Sequence, residues 1–352
     1  MRDDVRSDLS DEEFVAGIPK VELHVHLEGT IEPLSLFRIA ERNGIELPYD
    51  SPEGVVAFQA ERRAPGNESL VNFLECLDIS RGALRTGADY HTITVDFLAR
   101  CRDEGVRYVE MMVDPQQAIR QGVPLGDCVE AITQGRADGL TNHGVRSQLI
   151  MCFQRDHPAA EAEALLEQAD AHRDSIVGIG LDNYETPGFP ALFAATYELA
   201  RRREYRLTSH CDVNQPDSIR HIRACIEDLG VERIDHGLNT ATDPSLVDLV
   251  LERGIALTAC PTFYHGQQGA AESRLDMYRS LLDAGTMISL NTDDPAQFGS
   301  GWLTNTISEA MAAARFSRSD LVRFMHNAID SAWTDEHHRR DLTSELLTFC
   351  NR

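Results

Sequence analysis

Lysine is all but missing from this chain: Lys20 is the only one among 33 basic residues. Basic charge as a whole is short, since 33 Lys and Arg stand against 57 Asp and Glu, for a net charge of −24. That field repels polyanions, and nothing beyond the short run Arg201–Arg203 interrupts it, so nucleic acid and anionic membrane surfaces are excluded as partners. No stretch reaches the ~18 consecutive apolar residues of a membrane span. The acidic opening MRDDVRSDLSDEEF lacks the apolar core of a secretory signal. The eight cysteines form no CxxC pair, which argues against a zinc ribbon or a disulfide framework and predicts reduced, buried thiols in a cytoplasmic protein. There is no GxGxxG phosphate loop and no low-complexity linker, so residues 1–352 are expected to form one domain.

What is present is a rhythm. Short β-branched and apolar runs alternate with longer amphipathic stretches. Eight runs read as strands: Val21–His26, Val106–Val113, Val145–Phe153, Ile176–Leu181, Arg206–His210, Arg233–His236, Ile255–Ala259 and Met287–Asn291. Helical spacing lies between them, as in Tyr90–Asp103, Ala159–Arg173 and Ser245–Arg253. This alternation predicts an α/β chain folded as a (β/α)8 TIM barrel. The Pro-, Gly- and charge-rich segment Leu47–Leu70 lies in a long excursion between the first two strands, and an insertion at about residues 40–85 is expected to act as a lid. A second irregular loop, Thr262–Arg274, is expected after the seventh strand.

Barrels of this kind carry their sites at the C-terminal ends of the strands. The first strand ends in His24-Val25-His26, and residues i and i+2 share a strand face, so both imidazoles point the same way. The fifth ends in His210, the sixth in His236, and the eighth runs into Asn291-Thr292-Asp293-Asp294-Pro295. Taken singly, each has an ordinary reading: a strand histidine is usually a core or surface residue, and Asp-Asp-Pro is a helix-capping turn. Together they bring four imidazoles and a carboxylate to one mouth, which predicts a site for a borderline divalent ion such as Zn²⁺. Binuclear barrel sites commonly bridge two ions with a carboxylated lysine from a middle strand. Lys20 precedes the first strand, at the wrong end, so one Zn²⁺ per chain is expected, and Fe²⁺ fits the same ligands. Such an ion lowers the pKa of its bound water towards ~7.

The segments KVELHVHLEGT, the His210 strand end, RIDHG, LTACP and SLNTDDPAQFG together resemble the adenosine/adenine deaminase family of the amidohydrolase superfamily. The resemblance runs from Lys20 to the region of Ala313. It implies that His24, His26, His210 and Asp293 bind zinc, that His236 orients the attacking water, and that Asp294 bonds a ring nitrogen of the substrate. HLEG with Glu28, and VEMMVDPQ at Val109–Gln116, are similar to the branch acting on free bases. Asn183 in GLDNYE stands where nucleoside deaminases carry a glycine. Glu28 and Asn183 are therefore expected at the substrate. The implied reaction is zinc-dependent hydrolytic deamination of an amino-substituted, purine-like heterocycle, releasing ammonia, in a monomer or homodimer.

The resemblance breaks at one place. The family's His-Ala-Gly-Glu, whose glutamate protonates the ring, reads His210-Cys211-Asp212-Val213 here, and Val213 moves no proton. Three readings stand. Asp212 replaces the glutamate as the catalytic acid; or Asp293 is the sole proton shuttle and a different C–N bond is hydrolysed; or the chain binds a ligand without turnover. Asp212 also has an ordinary reading, as a cap for a helix beginning near Pro216. Glu185 is read as either a pocket residue or a loop charge, Arg155 and His157 as residues pairing behind the substrate, and Phe263, Tyr264 and His265 as loop packing. Cys211 is read as a buried thiol facing away from the ligands.

Overall fold

The computed structural model describes residues 5–64, 70–211, 215–261, 271–299 and 301–352. Its centre is a sheet of eight parallel strands in the order of the chain: β1 Lys20–His26, β2 Val106–Val113, β3 Arg146–Gln154, β4 Gly178–Asp182, β5 Arg206–Cys211, β6 Arg233–His236, β7 Ala256–Ala259 and β8 Met287–Leu290. Each strand pairs in parallel with the next. The seam between β8 and β1 closes just past the end of β8. There the His26 N–H donates to the Asp293 carbonyl (2.8 Å), the Asp293 N–H to the His24 carbonyl (3.1 Å), and the Leu23 N–H to Asn291 Oδ1 (2.7 Å). The closure makes this a (β/α)8 barrel, as the strand count predicts.

The strands are apolar on both faces because helices cover the outside while side chains fill the inside. In β1, with sequence KVELHVH, every residue is buried. Val21, Leu23 and Val25 alternate with Glu22, His24 and His26, so one face carries packing and the other carries chemistry. The lower interior holds an ion pair: Arg233 reaches Glu110 at 2.5 Å, and its guanidinium lies 3.8 Å from the centre of the Trp333 ring. Lys20 is buried at this end as well, at the first position of β1, with Nζ donating to the Glu104 carbonyl (2.9 Å). Burial pushes its pKa down to about 8, and the Glu104 charge works the other way.

Three expectations need correcting. The fourth strand starts at Gly178 rather than Ile176, because the Ile176 N–H is spent on the Arg173 carbonyl at the end of the 3₁₀ turn Asp170–Ser175. That turn also ends the helix expected over Ala159–Arg173, which stops at Ala169; His172 has non-helical angles. The irregular loop expected over Thr262–Arg274 is shorter, since a helix spans Ala271–Asp283. Residues 262–270, with Phe263, Tyr264 and His265, lie outside the described residues.

Between β1 and β2 the chain forms helices Pro33–Asn43, Pro52–Arg62, Leu70–Arg81 and Gly87–Asp103. The last opens on a capping box, with Thr86 and Asp89 satisfying each other's backbone N–H groups. The second and third bond to the turn Pro295–Phe298 that follows β8. Gln59 and Ser80 bond the side chain of Gln297 (2.9 and 3.2 Å), Arg63 bonds its carbonyl, and Phe73 stacks on Phe298. Among the described residues no helix is long and apolar enough to cross a membrane.

Candidate active site

The strand ends bring the expected side chains together. His24, His26, His210 and Asp293 are all buried, and each offers one ligand atom within 4.8 Å of the others. Asp293 Oδ1 lies 3.2 Å from His24 Nε2 and 3.4 Å from His26 Nε2, while His26 Nε2 and His210 Nε2 are 3.1 Å apart. His236 Nε2 stands 3.7 Å from the other Asp293 oxygen.

Hydrogen bonds behind the rings fix where the lone pairs point. His210 Nδ1 faces the Leu181 carbonyl at 2.9 Å, and a carbonyl only accepts, so Nδ1 carries the proton and Nε2 the lone pair. His24 Nδ1 faces Thr258 Oγ1 at 3.1 Å, and that hydroxyl already donates to Asp235 (2.9 Å). It therefore accepts from His24, which again turns Nε2 inward. Burial, then the neighbouring imidazoles, push His210 well below the ordinary histidine range, and burial lowers His26. Burial opposes the charge on Asp293, yet His24, His236 and His26 hold its carboxyl below the usual range. Burial works against a charge on His24 as well, yet Asp293, 3.2 Å away, holds its pKa above the ordinary histidine range, so imidazole nitrogens and a carboxylate converge with a proton on the His24–Asp293 pair that a cation would displace. His24 Nε2 has no hydrogen-bond donor to accept from. A divalent cation fits that donor set.

Backbone strain marks the same places. His236, Asp293 and Asn183 have φ of +63°, +66° and +65°, each at or just beyond a strand's C-terminal end. Such angles cost non-glycine residues energy and cluster where a side chain must be aimed. Asn183 lines the site pocket, and its Nδ2 donates to Asp156 (2.8 Å). Asn183→Val is expected to lower stability by about 2 kcal/mol, because a branched Cβ is worst in the left-handed region. Asn183→Gly is expected to stay within about 1 kcal/mol of the parent, losing the amide bond but relieving the backbone. Urea denaturation checks both.

A pocket opens over these side chains at the barrel mouth. Asp294 lines it. Although Asp294 sits at the N-cap of the turn Pro295–Phe298, its side chain caps nothing, so the ordinary capping reading is wrong. Burial and then the Asp293 charge push its carboxyl well up. Glu28 does not line the pocket. Its Oε1 accepts from the Asp114 N–H at 3.3 Å, and burial followed by the Asp114 charge raises its pKa to about 8. Asp212, with Val213, lies outside the described residues. Cys211 is a buried thiol 3.7 Å from Cys225. Cys260 lies 3.5 Å from His24 Nδ1, but burial and the Asp293 charge keep its thiol protonated.

Sequence reading missed several residues. Arg81, Asp114 and Asp182 line the pocket, and Leu70, Phe73, Leu74 and Leu77 give it an apolar wall. Glu185 is neither a pocket residue nor a loop charge: it is buried against His221 Nδ1 (2.6 Å) and Arg155 (3.7 Å). Arg155 in turn donates to the carbonyls of His210 and Asn183, which places it behind the site as expected. His157 pairs with Glu161 at 3.4 Å, away from it.

A closed eight-stranded parallel barrel with histidine and aspartate ligands at its C-terminal mouth is the architecture of the amidohydrolases. Within that class, the adenosine deaminase family model matches residues 19–349, and the chain belongs to this family. It is 33% identical over 337 residues to an adenine deaminase of Cupriavidus necator, covering 96% of this chain and 93% of the relative. The solved adenine deaminase of Arthrobacter aurescens superposes with a TM-score of 0.88 at 31% identity, over 96% of this chain and all of the other. An amidohydrolase of Burkholderia ambifaria, solved with bound zinc, superposes with a TM-score of 0.86 at 27% identity, over 99% and 96% of the two chains. The protein is a hydrolase acting on carbon–nitrogen bonds, of the adenine/adenosine deaminase type.

Proposed function

We propose that the protein hydrolytically deaminates an amino-substituted, purine-like heterocycle, using one Zn²⁺, or Fe²⁺, held by His24, His26, His210 and Asp293. The observation that carries this reading is the convergence of the imidazoles of His24, His26 and His210 with the Asp293 carboxylate, each offering a ligand atom to one point. When bound, the ion supplies Lewis-acid activation of water at neutral pH. His236 holds that water against Asp293, and Asp293 receives its proton. Water then adds to the amine-bearing carbon, Asp293 passes the proton it took to the amine, and the C–N bond breaks to release ammonia and leave a carbonyl. Asp294 holds the ring in place through a ring nitrogen. Asn183 meets the substrate, and Glu28 acts through Asp114, which it orients. Proton delivery to the ring falls to Asp212 in this reading.

The helices of residues 40–85 serve as a lid over a single barrel domain, since Leu70–Arg81 supplies the apolar wall of the pocket. All eight cysteines are free and seven are buried, which fits a reducing, cytoplasmic setting for a monomer or homodimer.

The test is ammonia release by zinc-loaded protein from adenine, adenosine, N6-substituted adenines and aminopterins. Release from one or more is expected. Silence across the panel, with one zinc per chain confirmed, would favour the second reading, in which Val213 marks hydrolysis of a different C–N bond through Asp293 alone. Prolonged chelation is expected to abolish turnover, and zinc to restore it. The chelated protein should also melt lower, because an ion present at about 1,000 times its Kd contributes about 4 kcal/mol to the folded state.

A further inference from the structure

The sheet parts at one place near the mouth. β3 runs beside β4 as far as Gln154 and Asp182, and β5 runs beside β6 as far as Cys211 and His236. Between β4 and β5 the ladder consists of Gly178 against Arg206 and Ile179 against Leu207, and among the described residues no later residue pairs across this gap. His210 lies three residues beyond Leu207, about 10 Å further along the strand. Its main chain is laddered to β6 on one side and faces the gap on the other. Arg155, the residue after β3, fills that gap. It is 1% exposed; Nη1 donates to the His210 carbonyl and Nη2 to the Asn183 carbonyl at 2.9 Å. One planar guanidinium thus spans the end of β5, which carries a metal ligand, and the turn after β4, where Asn183 stands at φ +65° against the pocket.

Three side chains fix the guanidinium from behind. Glu185 Oε2 lies 3.7 Å from Nη2, and both side chains are fully buried. The other Glu185 oxygen is 2.6 Å from His221 Nδ1. The Gly188 N–H donates to His221 Nε2 (2.9 Å), so Nδ1 carries the proton and donates to Glu185. The Phe189 ring packs under the guanidinium, with Cζ 4.8 Å from its centre, and meets His221 edge-on at 5.0 Å. Burying an arginine with a glutamate costs desolvation that apolar packing would avoid. What the pair supplies, and apolar packing cannot, is two donors of fixed geometry aimed at two carbonyls.

We propose that Arg155, held by Glu185 and His221, is the positioning residue for His210: it stands in for the ladder that β4 and β5 lack and sets how well His210 Nε2 meets the metal. It touches neither the ion nor the substrate. The inference rests on the metal site of the reading above, and not on which bond is hydrolysed there. Outer partners of a metal-binding histidine commonly act through the second ring nitrogen. Here that nitrogen already faces the Leu181 carbonyl at 2.9 Å, so Arg155 acts on the strand that carries the ring. Its loss leaves the ring bond in place and frees the main chain behind it.

The experiment measures zinc affinity by competition with a chromogenic chelator, together with the visible absorption of the Co²⁺-loaded protein, whose bands report ligand geometry. Three variants are compared with the parent. Arg155→Lys keeps a cation for Glu185, but its single nitrogen cannot span both carbonyls. Arg155→Met takes the cation away from a buried Glu185 and is expected to melt lower. Adding Glu185→Gln removes the stranded charge while its amide oxygen still accepts from His221, so the double variant is expected to regain most of the melting temperature. All three are expected to bind zinc about 10- to 100-fold more weakly than the parent and to show shifted Co²⁺ bands. Parent-like affinity and bands in Arg155→Lys would overturn the proposal. So would their return along with the melting temperature in the double variant, since Arg155 would then be a brace and nothing more. Ammonia release is followed in parallel. No release by the parent from any amine of the panel defeats the deaminase reading and spares this inference if the metal measurements shift, whereas release with unchanged metal binding in the variants does the reverse.

Discussion

Asp293→Asn is expected to lower kcat/KM for ammonia release by about 10⁴-fold or more, the upper range for loss of a positioned acid–base group, with metal binding lost in addition. The substitution keeps the shape of the side chain. It also keeps the backbone, because asparagine tolerates the left-handed region occupied at φ +66°. What goes is the charge. Among the described residues, Asp293 Oδ1 is the one anion facing the Nε2 atoms of His24 and His26, and Oδ2 faces His236. An amide cannot both ligate a cation through an oxygen and take a proton from water. The β8–β1 closure runs through the Asp293 main chain, so the barrel should survive. The check is ammonia release alongside zinc content and a thermal melt. A folded variant with normal turnover would separate Asp293 from the chemistry assigned to it. His236→Ala, which leaves the ligand set whole, is expected to lose turnover while retaining zinc.

The barrel was legible because strands buried on both faces announce themselves. Leu23, Val25, Met111, Leu149, Ile179 and Leu257 belong to runs that no helical period accommodates, and the eight runs observed differ from those expected by only a residue or two. The histidine and aspartate positions were legible for the same reason: a barrel strand's last residues have one place to go. The supports behind them were not. Thr258 and Asp235 fix the His24 tautomer from β7 and β6, more than two hundred residues away in the chain. Only the closed sheet brings them adjacent. Arg81 lies on a helix far from β2 in sequence, and nothing local distinguishes it from the other arginines of an arginine-rich chain. Glu28 illustrates the converse. Its motif marks a functional neighbourhood, but the 3₁₀ turn Leu27–Thr30 aims the carboxylate at the Asp114 backbone instead of the cavity. A short motif fixes the place of a residue along the chain more firmly than the direction of its side chain.

Gly29, in that same turn, is expected to control activity without touching a ligand. A Cβ built there would overlap Asp294 Oδ1 and lie 2.5 Å from its Cγ and 2.6 Å from its Cβ. These are the atoms of a buried group with no slack, since Asp294 is 2% exposed and its turn is bonded through Gln297 to Gln59 and Ser80. Gly29→Ala must therefore displace the Asp294 carboxylate. A shift of about 1 Å in a positioning group costs on the order of 10²-fold in rate, while overpacking costs about 1–3 kcal/mol of stability. Loss of activity by itself would not identify the route, but a double-mutant cycle does. Asp294→Gly removes all three atoms that the new Cβ meets. If Gly29 acts only by leaving room for Asp294, then adding Gly29→Ala to Asp294→Gly should cost nothing further in kcat/KM, and the double variant should melt no lower than Asp294→Gly alone. Additive losses in the cycle would mean that the turn Leu27–Thr30 serves the site in some way other than through Asp294.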